Sequence, residues 1–502
     1  MKMKKLIAVL LLMAMCVSPL IFSACSNTDS GDNGINNAVK NDESGSEADT
    51  EPSETEIMPD LPDEDFGGYT LRVTSRGDDW HAYPAHSRDI IATEEAMGDI
   101  INDAVYERNL AVQERFNIDI TLQTFPELTG DGEAGAINAV KKAHAAGDDM
   151  FDLILGHQIM MGTAAMEGYF ANWYDMPYVD MTKPWWVQEV KDNLSIGNTT
   201  FLAMSDLSVS SHDNAYVILF NKQLHEDYQL ENLYELVDKG TWTFDKFYSL
   251  FADIYQDLDG DGKRTIKDFY GLIEGGGYLN WFFAGGNRIT LKDDKNRPYY
   301  DLLTERSTLT FSKVSNMLLN DGVYRFDIWI NEDIIPMFEA GRGMFLGTQI
   351  GSIPLLRGMT VDFGILPYPK LNEEQENYLN FIDGHSSFMA IPTMVGEREK
   401  VGAIVEALSY ESYKKVVPAY FDVALKTKFA RDNESEKMID IIFRGSVYDF
   451  DYVFCNFIVT YRFFDNLKDG KTNFVSDVEK NMKAAQTRLD KVIEAFDAII
   501  EE

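Results

Sequence analysis

Between Tyr69 and Gly156 the chain alternates strand and helix signals, and this alternation limits the available folds more than any other feature. Tyr69-Thr70-Leu71-Arg72-Val73-Thr74 alternates apolar and polar residues as a half-buried strand does. Asp99 to Phe116 follows with Ile101, Val105, Leu110 and Val112 at helical spacing. Ile118 to Leu122 reads as a second strand, and Ala134 to Ala146 as an Ala-rich helix ending at Gly147. Phe151 to Leu155 is a short apolar run stopped by Gly156, the pattern of a strand covered on both faces. Strand, helix, strand, helix, strand builds a parallel α/β sheet. Ligands of such sheets bind beyond the carboxyl ends of the strands. The loops that start at Ser75 and Gly156 are therefore the first places to look.

The α/β theme continues with apolar runs at Ala215–Phe220, Val361–Leu366 and Ser387–Pro392, and with Thr243 placed to cap a helix. After Glu397 the chain turns mainly helical, and Val475 to Ile500 has good helical period. Roughly 440 residues follow position 60. Single cores stop growing near about 250–300 residues, so two lobes are expected.

The N-terminus carries a different signal. Lys2, Lys4 and Lys5 precede an apolar run from Leu6 to Phe22, and Ser23-Ala24 lead into Cys25. This is the order of a removable export signal over residues 1–24. Phe22-Ser23-Ala24-Cys25 resembles a bacterial lipobox, in which Cys25 becomes the lipid-bearing first residue. Residues 25–60 are rich in Asn, Asp, Ser, Gly and Glu, too polar to offset their chain entropy, and read as a disordered tether. The expected location is the outer face of the cytoplasmic membrane of a Gram-positive cell, held by lipid alone.

The formal charge of −37 leaves no basic face for the phosphates of a nucleic acid. Of three cysteines, Cys16 lies in the signal and Cys25 takes the lipid. Cys455, within Tyr452-Val453-Phe454-Cys455, is expected to be a buried thiol without a disulfide.

Many short segments in one order resemble the extracellular solute-binding proteins (family 1-like, lipoprotein type) of carbohydrate ABC importers. They include Asn102 to Asn109, Val112 to Asn117, Lys183-Pro184-Trp185-Trp186, Tyr216 to Lys222 and Gly240 to Thr243. Phe338 to Gly341, Phe363 to Pro367, Pro418-Ala419-Tyr420 and Arg431-Asp432 continue the series. The resemblance implies a two-lobe, type II periplasmic-binding-protein-like fold with the ligand in a cleft and a hinge crossed more than once. The expected lobes are 61–170 plus about 335–390, and 171–334 plus about 391–502. Expected partners are a carbohydrate, bound by a monomer, and the transmembrane subunits of an importer. Binding of peptides or other solutes, or action as a surface glycoside hydrolase, are the alternatives.

Asp257-Leu258-Asp259-Gly260-Asp261-Gly262-Lys263-Arg264-Thr265-Ile266-Lys267-Asp268 fits a calcium loop, with acids at positions 1, 3, 5 and 12 and Gly at 6. Calcium takes six to eight oxygens, as a rule from such carboxylates and a backbone carbonyl. Asp257, Asp259, Asp261, Lys263 (carbonyl), Thr265 and Asp268 are the expected ligands of a structural Ca2+. Asp268 stands where the longer Glu is usual. The alternative is a solvated acidic turn.

Sugars present C–H faces to aromatic rings and hydroxyls to carboxylates and amides. Trp80, beside Arg76 and Asp79, follows the first strand; Trp281 follows Gly275-Gly276-Gly277, where glycines suggest an open loop. Both are stacking candidates, whereas Trp173, Trp185, Trp186, Trp242 and Trp329 fit packing. His157, Asp206, His212, Gln349 and Asp383 lie at strand ends or turns and complete the expected ligand-binding set. No metalloprotease, nucleophile-elbow, phosphate-loop or dinucleotide motif occurs, so no catalytic residues are assigned.

Overall fold

The computed structural model describes residues 57–77, 86–90, 100–125, 135–325, 333–423, 433–455 and 459–501. The expected alternation is present. β1 (Tyr69–Arg76), β2 (Ile118–Phe125) and β3 (Leu153–His157) are linked by helices Ile100–Phe116 and Gly135–Ala146. β1 pairs in parallel with both neighbours, with Tyr69 opposite Ile118 and Val73 opposite Leu153. A late strand, here β13 (Ser387–Ala390), adds antiparallel to β3 and completes the order β13-β3-β1-β2. All five residues of β3 are buried, which is why it reads as a continuous apolar run.

The second sheet uses β4 (Tyr216–Asn221), β5 (Tyr255–Gln256), β6 (Phe269–Glu274), β9 (Val323–Arg325), β10 (Gly343–Gln349) and β11 (Phe363–Leu366). Its order is β11-β4-β10-β6-β5, with β9 also on β6. β10 runs parallel to β6 and antiparallel to β4. A hairpin of β7 (Thr290–Lys292) and β8 (Pro298–Tyr300) stands apart, as does the short pair β12 (Asn380–Phe381) and β14 (Ser446–Val447).

The expected lobe boundaries need correction. β10 and β11, placed with the first lobe, pair inside the second sheet, and of 335–390 only β13 joins the first sheet. Conversely Trp173, Trp185, Trp186 and Leu207, placed with the second lobe, share one apolar core with Leu71, Val73 and Phe116. Helix Arg398–Glu411 joins that same core through Val401, Ile404 and Leu408. A second, larger core runs from Val140 and Ile154 beside the first sheet to Trp242, Trp281 and Phe345 in the second. The two sheets therefore sit on one continuous apolar body.

At one point that body requires glycine. A Cβ on Gly162, in helix Gln158–Met166, would lie 2.2 Å from the carbonyl oxygen of Val453 in helix Phe450–Phe454. Cys455 is buried and free, and burial raises its thiol well above the usual range.

Candidate functional site

β3 ends at His157, and Ser387, the first residue of β13, lies opposite it. Between β11 of the second sheet and β13 of the first the chain passes through β12 and then the turn Asp383–Ser386. The turn is held from both sides. Asp383 is 3% exposed and accepts the Tyr216 hydroxyl at 3.1 Å, from the first residue of β4. Its other oxygen contacts the His385 backbone N–H (3.1 Å) and Nδ1 (2.6 Å). Gly384 N–H donates to the Tyr452 hydroxyl (3.2 Å), and its carbonyl accepts the N–H of Gln158 (3.0 Å). The Gln158 side chain donates to the Asp383 carbonyl at 3.2 Å and to Ser386. On the second sheet Tyr216 pairs directly with Gln349, the last residue of β10. Burial alone would raise the Asp383 carboxyl; His385 and the donated hydrogen bonds outweigh it and hold the group below its usual range.

Of the expected residues, His157 and Asp383 meet at this turn, and Gln349 stands opposite Tyr216 in the second sheet. Their roles differ. The His157 ring, 4% exposed, caps helix Gln158–Met166 by accepting the N–H of Ile159 at 3.3 Å, and packs edge-on to His385 at 4.8 Å. Gln349 stays half-buried. Arg76 ends β1 and is 1% exposed, so it faces inward rather than into open solvent. Asp79 and Trp80 lie outside the described residues.

Asp206 is half-buried, and burial pushes its carboxyl up to about 8. Its N–H donates to the Trp185 carbonyl at 2.9 Å. His212 packs against Tyr420, Phe443 and Phe421, with ring centroids 4.5–6.3 Å away, and burial lowers its imidazole to about 4. Its ring is held in this aromatic cluster and stays half-buried.

Trp281 is a second correction. It lies in helix Tyr278–Ala284 with no exposed surface, and its indole N–H donates to Glu274 at 2.9 Å. Glu274 also accepts the N–H of Gly277 at 2.7 Å, and burial lifts its carboxyl to about 7. The indole is consumed in holding this acid, and Tyr368 packs against it with ring centroids 4.6 Å apart and planes at 66°.

Tyr216, Gln158, His385 and Tyr452 belong to the junction, and sequence reasoning did not single them out. Tyr216 and Tyr452 sit in apolar runs that read as core. Gln158 and His385 follow His157 and Asp383 directly, so a wider window at those two turns was the available signal.

The acidic loop between β5 and β6 has carboxylate oxygens of Asp257, Asp259 and Asp261 within 4.8 Å of one another, all on exposed residues. Gly260 and Gly262 N–H donate to Asp257 at 2.7 and 2.9 Å, and Lys263 N–H to Asp261 at 2.7 Å. Three converging carboxylates are the donor set of a hard divalent cation. Asp268 differs from expectation. It is fully buried and accepts the N–H groups of Leu258 (3.2 Å) and Thr265 (2.9 Å), closing the loop rather than joining the three. The Thr265 hydroxyl accepts the N–H of Lys267 at 3.2 Å, and Lys267 also pairs with Asp259 at 3.2 Å.

No protein-family model matches the chain, and no curated protein matches it in sequence. Solved structures do match in shape. A cyclo/maltodextrin-binding protein complexed with maltotetraose superposes with a TM-score of 0.52 at 12% identity, over 86% of this chain and 97% of the other. The fold is that of a two-lobe solute-binding protein. A family 1 extracellular solute-binding protein from Bifidobacterium longum subsp. infantis gives 0.50 at 12% identity, over 85% and 100%. UgpB from Mycobacterium tuberculosis, in complex with glycerophosphocholine, gives 0.50 at 16%, over 78% and 95%. These similar structures are binding proteins. No helix among the described residues is long and apolar enough to cross a membrane.

Proposed function

We propose that this chain captures a carbohydrate outside the cell and presents it to an ABC importer. The observation that carries the reading is the polar junction at the carboxyl ends of β3 and β10, bridged by the turn Asp383–Ser386. In open α/β sheets that position is where ligands bind. A ligand held between two lobes favours the closed arrangement by its differential affinity for it. The neighbours in fold that carry maltotetraose or glycerophosphocholine support a polyhydroxylated solute. Lipid on Cys25 and the polar stretch to residue 60 would hold the body near its transport partner, working as a single chain. Asp257, Asp259 and Asp261 would hold one Ca2+, which would tie the β5–β6 connection by charge and take no part in chemistry.

The test is thermal stability of the protein against a panel of neutral oligosaccharides and, separately, peptides. Ligand at a hundredfold excess over its dissociation constant adds about 2.7 kcal/mol. A rise with one glycan class that is recovered intact supports transport. A rise with peptides alone, or cleavage of the glycan, overturns the reading.

A further inference from the structure

A cavity of about 440 Å3 opens between helix Glu305–Leu318 and the start of helix Phe474–Glu501. Small-molecule sites span about 300–1,000 Å3. No residue of the junction at Asp383 lines it. Its two lining rings are held in place: Phe311 and Phe474 stack with centroids 4.8 Å apart and planes at 13°, and Phe463 meets both edge-on. The rest of the lining is polar without being charged. Charged residues make up 25% of the chain, yet Glu479 is the one ionisable group among the described residues around this cavity. Thr308, Ser312 and Asn316 recur every fourth residue and so share one face of the first helix.

Ser315, beside that face, is the deciding residue. It is 4% exposed, it lines the cavity, and its hydroxyl makes no hydrogen bond among the described residues. Polar side chains buried to that degree are as a rule partnered. Ser312, Asn316 and Asn473 likewise keep their side-chain donors and acceptors uncommitted. Thr308 and Ser476 donate to backbone carbonyls at 3.0 Å and retain the capacity to accept. We infer that this cavity is a second carbohydrate site, separate from the junction, which takes a stretch of neutral glycan chain. Sugar hydroxyls donate and accept at once, as the groups around this cavity do. An anion would meet Glu479 and no Lys or Arg. An extended peptide would need a sheet edge, and the elements on either side are helices.

The deciding experiment is native electrophoresis of the intact chain through gels holding soluble glucan, xylan, mannan or, as an anionic control, polygalacturonate. Calorimetry with short neutral oligosaccharides and unliganded melting accompany it. One neutral polymer is expected to slow the parent. Ser312→Trp fills the cavity from an exposed position and Ser315→Ala removes the buried hydroxyl, so each should weaken that retardation at least fivefold. Melting of Ser312→Trp and short-oligosaccharide binding by both variants should stay at the parent's values. Should Ser312→Trp fail to fold, Ser315→Ala decides. The site is overturned if no neutral polymer slows the parent, if only polygalacturonate does, or if retardation survives a folded Ser312→Trp. It is also overturned if the variants lose short-oligosaccharide binding in step with retardation, since the polymer would then sit elsewhere. A parent that binds no short oligosaccharide overturns the transport reading alone, and the gels still decide this site.

Discussion

Two buried glutamates take indole N–H groups where a cation would be the usual partner. Glu406 accepts Trp185 and Trp186 at 3.0 and 2.9 Å, and Glu274 accepts Trp281 at 2.9 Å. Burial outweighs these bonds and lifts each carboxyl from 4.5 to about 7. The folded state thus holds both protons more tightly than the unfolded chain. Their contribution to stability is full below about pH 4.5 and is lost as pH rises through about 7. The melting temperature is expected to fall between pH 5.5 and 8, and Glu274→Gln with Glu406→Gln to flatten that slope; an equally steep slope in the double variant refutes the assignment. Trp281→Phe removes a donor from a buried acid, which should cost about 1–3 kcal/mol in urea unfolding, and the gap left by the smaller ring adds to that loss. This residue also shows where sequence reading stopped. Gly275-Gly276-Gly277 looked like an open loop that would expose Trp281. Instead a Cβ on Gly275 would lie 2.6 Å from the Gly347 carbonyl oxygen, and one on Gly277 2.6 Å from the Tyr368 hydroxyl. Those two glycines make room for packing, and composition alone does not separate that use from flexibility.

At the level of elements, the local patterns were legible and the pairings were not. The β1-to-β3 run was readable because each parallel strand is followed by the helix that covers it. The clustered acids Asp257, Asp259 and Asp261 and the strand Ser387–Ala390 were readable for similarly local reasons. β10 was misplaced because its neighbours β4 and β6 are remote in sequence, and nothing in Gly343–Gln349 names them. The junction was legible only as strand ends and a turn, where His157, Asp383 and Gln349 stand, whereas Tyr216 reads as core from its apolar run although its hydroxyl donates to Asp383. The contact of helices Gln158–Met166 and Phe450–Phe454 gives a direct prediction. Gly162→Ala drives a methyl into backbone rather than into a pliant side chain. A loss of about 1–3 kcal/mol is expected in urea unfolding, whereas Ala at half-buried Gly168, whose added Cβ would meet nothing within 4 Å, should cost only the backbone strain of its φ of +79°.

On the scale of the whole molecule, the acidic loop should connect metal supply to stability. Chelator is expected to lower the melting temperature and calcium to restore it, with Asp261→Asn removing the response; indifference of the parent protein to both would dismiss the metal site. The continuous apolar body reaches further. Its strands and indoles are drawn from distant parts of the chain: β3 is closed on one edge by β13, and Trp185 and Trp186 find their acceptor in Glu406. A chain emerging N-terminus first and halted near position 380 would hold a three-stranded sheet with a bare edge and two indoles without their carboxylate. Bare edges of that kind recruit other chains. Assembly of the first lobe must therefore wait for the last quarter of synthesis, and the interval before it is when this protein is most exposed to aggregation and to proteases.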